Sequence, residues 1–275
     1  MARRMIREAF SAAGFVMLLG VVAGCQGTRE ADLGQRIYIV TTENELTSFQ
    51  VARPSVPRGP VAVKGLGADE SLVGIDFRPA NGLLYAVASS GKIYTIDTAT
   101  AAAAPVSTIS VALSGKSFGV DFNPVPDRLR LVSDAEQNLR INVDTGEATV
   151  DKPLAYAPTD AKTGVDPNVV AAGYTNSVKG AKETMLHVID FSLGNLATQN
   201  PPNDGVLNTL GPLGTTSGPI ACLDISGRTG AAMAILTDGN AGSSQAFSID
   251  IATGAARAVG TIGRSLIVRD CSFEP

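Results

Sequence analysis

A pattern of short strands recurs along this chain, and no other feature limits its fold so strongly. Residues 72–98 read Leu-Val-Gly-Ile-Asp-Phe-Arg-Pro, then Asn-Gly-Leu-Leu-Tyr-Ala-Val-Ala, then Gly-Lys-Ile-Tyr-Thr-Ile-Asp-Thr. Residues 118–145 repeat the scheme with Phe-Gly-Val-Asp-Phe-Asn-Pro, Asp-Arg-Leu-Arg-Leu-Val-Ser and Gln-Asn-Leu-Arg-Ile-Asn-Val-Asp-Thr. A third copy runs from Ile220-Ala-Cys-Leu-Asp-Ile through Ala231-Ala-Met-Ala-Ile-Leu-Thr to Ala246-Phe-Ser-Ile-Asp-Ile-Ala-Thr-Gly. The strands alternate apolar and polar residues and are bounded by Asn-Gly, Ser-Gly, Thr-Gly or Asp-Gly, as tight hairpins require.

Asp97, Asp144, Asp190 and Asp250 each end what reads as a third strand and recur roughly every 50 residues, with Gln50 in the same place one unit earlier. Five units of this length, built from up-and-down strands, predict an all-β fold: a five-bladed β-propeller in which each blade buries its faces against its neighbours. The ends of the chain agree. The first unit opens at Arg36 with the second-strand pattern Ile37-Tyr-Ile-Val and lacks a Gly-Ile-Asp-Phe strand before it. Leu266-Ile-Val-Arg-Asp-Cys-Ser-Phe273 supplies that strand from the other terminus, so the C-terminal strand is expected to pair into the N-terminal blade and close the ring. In the fourth unit Val169–Thr175 and Thr184–Asp190 fit second and third strands, which places its first strand within 148–158, around Leu154-Ala-Tyr156. No amphipathic helix is visible after the N-terminal segment.

Several of these segments together resemble one known family. Gly-Val-Asp-Phe-Asn-Pro (119–124), Asp-Arg-Leu-Arg-Leu-Val-Ser-Asp (127–134), Gln-Asn-Leu-Arg-Ile-Asn (137–142), Ala-Ala-Gly-Tyr-Thr-Asn (171–176) and Gln-Asn-Pro-Pro-Asn-Asp-Gly (199–205) look like the bacterial secreted family numbered 4394 among the domains of unknown function. The resemblance covers about residues 36–273 and implies a propeller-like fold. It carries no activity over to this chain.

The N-terminus reads as an address. Arg3, Arg4 and Arg7 precede an uncharged apolar run from Phe10 to Gly24, the pattern of a secretory signal. As a helix such a run spans about 22 Å, short of a bilayer core of roughly 30 Å. It ends Val22-Ala-Gly-Cys25, which resembles a bacterial lipobox. The expected organisation is a lipoprotein signal peptide over 1–24, a tether over 25–35 acylated at Cys25, and a single propeller domain over 36–275. Gln26 after the cysteine resembles an outer-membrane sorting signal, so the protein is expected in the bacterial cell envelope, held by lipid.

Charge and histidine content narrow the function. Lys plus Arg total 22 against 26 Asp plus Glu, a net charge of -4, and cleavage would remove Arg3, Arg4, Arg7 and Glu8. Nucleic acid is therefore excluded as a partner. With one histidine, His187, and no tryptophan, histidine-based metal sites are excluded too. His187 alternates with apolar neighbours and reads as a structural, half-buried side chain.

Three constellations remain. Asp76, Asp121, Asp224 and Asp270 fall at matching points of four first strands, the strands that line a propeller's axis. They are candidates for a cation-binding ring that would hold Ca²⁺ through oxygen ligands, or each accepts backbone N–H groups from its own or the next blade. Cys222 and Cys271 lie in the first strands of the last and first blades and are a candidate disulfide that would latch the ring, although their strand parities point them to opposite faces. Arg128, Arg130 and Arg140 either present guanidinium groups to an anion or pair with nearby Asp127, Asp134 and Glu136. No catalytic residue is assigned. The sequence reads as an envelope-anchored binding or scaffolding module for a protein or carbohydrate ligand; the alternative is a metal-dependent hydrolase with its site at the channel.

Overall fold

Five four-stranded antiparallel meanders stand around one axis in the computed structural model, which describes residues 34–237 and 242–275. From the axis outward, the second blade is Leu72–Phe77, Leu84–Ala88, Lys92–Ile96 and Ala103–Thr108. The third is Phe118–Asn123, Arg128–Ser133, Asn138–Ile141 and Ala148–Val150, and the fifth is Ala221–Ile225, Ala232–Leu236, Gln245–Ile249 and Ala256–Thr261. Residues 1–24, Cys25 and the tether as far as residue 33 lie outside the described residues.

The first blade joins the two ends of the chain. Val268–Phe273 forms its inner strand and pairs antiparallel with Arg36–Thr41, Tyr38 opposite Ser272 and Val40 opposite Asp270. Glu45–Gln50 and Val61–Ala62 complete the blade. The ring is closed as the missing first strand implied. Arg36 lies opposite Gln50 and Ile37 opposite Phe273, so Arg36, Phe273 and the connection 51–60 share one rim, and the starts of the inner strands share the other.

The fourth blade departs from the expectation. Its inner strand is Val169–Tyr174, followed by Leu186–Asp190, Asn195–Gln199 and Val206–Pro212. Ala155–Tyr156 is no inner strand; it runs parallel to Val206–Pro212 at the outer edge and makes this sheet five-stranded. The sequence misleads because the inner strand has Gly173 where the second, third and fifth blades have Asp, and because Asp190 ends the second strand while Asp97, Asp144 and Asp250 follow third strands.

Packing explains why the inner strands are apolar on both faces. One face of each blade meets the next blade and the other face meets the previous one, so all six residues of Leu72–Phe77 are buried. One apolar cluster fills each junction: Val87 and Ile93 of the second blade, for instance, pack with Phe122, Leu129 and Leu131 of the third. The outer strand Ala103–Thr108 is largely exposed.

Candidate functional site

At the axis a single rule runs round the ring. An oxygen on one inner strand accepts the N–H of the residue one step further on in the next blade. Asp76 Oδ2 takes the Phe122 N–H at 2.7 Å, Asp224 takes that of Phe273, and Ser272 Oγ takes that of Phe77 at 3.2 Å. The Tyr174 N–H faces Asp121 and favours its charged form, against the effect of burial. The fourth blade offers Gly173 at this level, and there the strands approach closely instead: a Cβ on Gly173 would lie 3.2 Å from the Leu223 carbonyl oxygen.

This register corrects the expected match of four aspartates. Ser272, not Asp270, shares the level of Asp76, Asp121 and Asp224. Asp270 sits two residues earlier, on the same face of its strand, and accepts the Ile75 N–H at 2.7 Å. Ser272 Oγ also donates to Asp76 Oδ1 at 2.6 Å. Asp76, Asp121 and Asp224 bring one carboxylate oxygen each within 4.8 Å of one another.

All four carboxylates are buried. Loss of water pushes the Asp121 carboxyl well above the usual range, and the charges of Asp76 and Asp224 add to the effect. Burial does the same to Asp76, with Asp224 next in importance, and to Asp270. Asp224 is raised to about 6 by burial, against the backbone N–H groups of Phe273 and Ile225. Asp121 Oδ1 has no hydrogen-bond partner among the described residues. A desolvated carboxylate oxygen in that state costs free energy unless it is protonated or meets a cation.

Cys222 and Cys271 are bonded, with Cα atoms 5.8 Å apart. Their opposite parity is what brings them together, since opposite faces of neighbouring blades are the ones that meet. Gly74 and Val120, and likewise Gly119 and Ala172, occupy the same pair of positions at other junctions.

The arginines of the third blade turn to a partner the sequence did not indicate. Arg130, 1% exposed, reaches Asp151 Oδ2 at 2.6 Å, Asn138 Oδ1 at 2.7 Å and Asn203 Oδ1 at 2.8 Å. Arg140 meets the same carboxylate at 2.7 Å, and Arg128 donates to the carbonyls of Pro126 and Asp127. Asp127 itself belongs to Arg78, which also binds Asp144 and so ties the second blade to the third. Asp144 is therefore an interblade anchor, whereas Asp97 and Asp250 accept N–H groups from their own turns. His187 is buried and lies opposite Gly173 and Thr198; burial lowers its pKa to about 4 and keeps the ring neutral.

Two concavities lie away from the axis. One of about 90 Å³ is lined by Tyr38, Leu46, Arg58 and Val61 among others, and one of about 280 Å³ by Arg36, Ser48, Arg53, Val56 and Arg58. Both use residues of the 51–60 connection, and neither includes an axial carboxylate. The arginines drew no attention in the sequence because Arg36, Arg53 and Arg58 are scattered singly; only the pairing of Arg36 with Gln50 brings them to one place.

Comparison with solved structures shows the fold alone. A chain of a nidogen/laminin complex matches at 12% identity and TM-score 0.50, over 88% of this chain and 99% of its own length. A structural genomics protein of unknown function from Bacteroides thetaiotaomicron VPI-5482 matches at 14% identity and TM-score 0.48, over 84% of this chain and 55% of its own. An auxiliary nutrient binding protein from Bacteroides ovatus ATCC 8483 matches at 10% identity and TM-score 0.47, over 82% of this chain and 56% of its own. This chain thus spans little more than half the length of the two Bacteroides proteins. Among curated proteins none has a matching sequence. The repeat, the closed ring and the motifs meet in one family model that matches residues 45–272, and the chain belongs to that family, described as Domain of unknown function (DUF4394).

Proposed function

We propose that this protein is a lipid-anchored binding module of the bacterial envelope, acylated at Cys25 after removal of residues 1–24, with its binding face on the rim that carries the 51–60 connection. One observation carries the reading: the axial carboxylates are buried and engaged in joining blades, while the concavities are built from an exposed connection of the first blade. A channel hydrolase would need the reverse, an open site holding at least two of those carboxylates. Ligand sites built on loops over a rigid scaffold are the common arrangement. The test places a photo-crosslinking residue at Val56 and, as a control, at Val165 near the opposite rim, in intact cells. Capture of an envelope component from position 56 alone supports the reading, and equal capture from both positions refutes it. Retention of the protein in the membrane fraction by a Cys25→Ala variant refutes the lipid anchor.

A second reading concerns the axis. The unpartnered Asp121 Oδ1, with oxygens of Asp76 and Asp224 close by, favours a structural cation such as Ca²⁺ held between the blades. Calorimetry with Ca²⁺ decides it: binding that is lost in Asp121→Ala supports the site, and a flat titration removes it.

A further inference from the structure

The 280 Å³ concavity on the first blade is cationic in an otherwise acidic chain. Arg36, Arg53 and Arg58 line it with Ser48 and the 70% exposed Val56. Arg36 donates to Ser48 Oγ at 3.3 Å and has Glu274 at 3.9 Å. The guanidinium groups of Arg53 and Arg58 have neither a hydrogen bond nor an ion pair among the described residues; only their backbones are engaged, through the Gln50 and Ser48 carbonyls and the Thr47 hydroxyl. The place matters as much as the charge. The Gln35 carbonyl accepts the Val51 N–H, and the Glu274 N–H donates to the Arg36 carbonyl. The chain therefore comes off the N-terminal tether directly beside this concavity.

We infer that the Arg36, Arg53 and Arg58 concavity takes the phosphate of an anionic lipid headgroup, so that the propeller docks on its own membrane with this rim down. The inference rests on the binding-face and lipid-anchor reading above and supplies its ligand class. Guanidinium groups suit phosphate oxygens by geometry and by weak hydration. The volume stands at the small end of ligand sites, matching a headgroup fragment better than a large solute. A lipidated Cys25 would keep an anionic surface within reach, because the roughly ten residues before Arg36 extend to at most about 35 Å. The same length leaves the rim free to lift away when nothing attracts it.

The experiment uses the acylated chain reconstituted in vesicles. Its other cysteines are bonded to each other, so Val56→Cys or Val165→Cys gives a single thiol for a fluorophore. The expected result is quenching by lipid-borne nitroxide at position 56, absent at position 165, in phosphatidylglycerol-containing vesicles and not in pure phosphatidylcholine. Arg53→Gln and Arg58→Gln should each lower the ratio of docked to undocked protein about fivefold. Equal quenching in neutral vesicles, or none lost in the double variant, overturns the inference. Inorganic phosphate should release position 56 at an ionic strength where chloride leaves it docked, by competing for the same guanidinium groups; equal release by the two anions overturns the phosphate assignment. If vesicles fail while crosslinks at Val56 still capture an envelope component, only the headgroup assignment falls; if both fail, the binding face falls with it.

Discussion

Cys222 of the fifth blade and Cys271 of the first are joined by a disulfide across the seam where the ring closes, 49 residues apart in sequence. The bond holds the closing strand Val268–Phe273 to the fifth blade, while inside the first blade the same strand pairs with Arg36–Thr41 from the other end of the domain. In the chain-entropy model a loop of this size stabilises by roughly 4 kcal/mol. Replacing both cysteines by alanine should therefore lower unfolding stability by about 2–4 kcal/mol, read as a fall in the urea midpoint relative to the oxidised protein. A midpoint unchanged by reduction would mean that apolar packing at the seam suffices alone.

The axial carboxylates make stability depend on pH. Asp76, Asp121 and Asp270 are raised well above the ordinary range, and Asp224 to about 6. From about pH 4 to pH 6 the folded protein retains protons that the unfolded chain gives up, so stability is lost as pH rises through that window. His187, lowered to about 4, acts with the opposite sign below about pH 6.5. Comparison of variants separates the two. In chelator-containing buffer, Asp121→Asn should lose less stability than wild type as pH rises from about 4 to about 7, because it removes a carboxyl that burial and the neighbouring acids hold protonated in the folded state. Parallel pH profiles from chemical denaturation would show that Asp121 is not the carboxyl that retains a proton.

Arg130 and Arg140 share Asp151, yet their losses should differ. Arg130 is buried with four side-chain partners, including Asn203 and Tyr174, while Arg140 is about one-third exposed. Arg130→Ala leaves buried acceptors unpaired and should cost about 3–5 kcal/mol; Arg140→Ala should cost less than about 1 kcal/mol. Equal losses in thermal or urea unfolding would show that Asp151 depends on both alike.

Gly119 is chosen for its lack of a side chain. A Cβ there would lie 2.6 Å from the Ala172 backbone nitrogen and 2.7 Å from the Ala171 carbonyl carbon. Backbone on the facing strand cannot yield as a side-chain tip can, so Gly119→Ala should cost about 2–3 kcal/mol through overpacking of the third blade against the fourth. Gly82 provides the control for space, since a Cβ there meets nothing within 4 Å; its φ of +71° limits the expected cost of Gly82→Ala to backbone strain of about 1 kcal/mol.

The amino-acid sequence determined the strands, the hairpins and the closure of the ring, because these rest on local alternation, turn residues and a strand missing from one end and present at the other. It also held the cysteine pair and the axial acids, though not their register. Tertiary structure alone decided that Val169–Tyr174 is an inner strand, since glycine at position 173 erased the motif that marks the others. Packing of opposite strand faces across each junction, invisible along one chain segment, made partners of Cys222 and Cys271 and set Ser272 level with Asp76. Charge pairing was likewise settled in space. Arg78 reaches Asp127 and Asp144, and Arg130 reaches Asn203, because a propeller brings together residues whose distance in sequence is set by the length of a whole blade. The hairpin pairing of Arg36 with Gln50 gathers Arg36, Arg53 and Arg58 on one rim beside the start of the domain, a cationic surface invisible in residues scattered singly along the sequence.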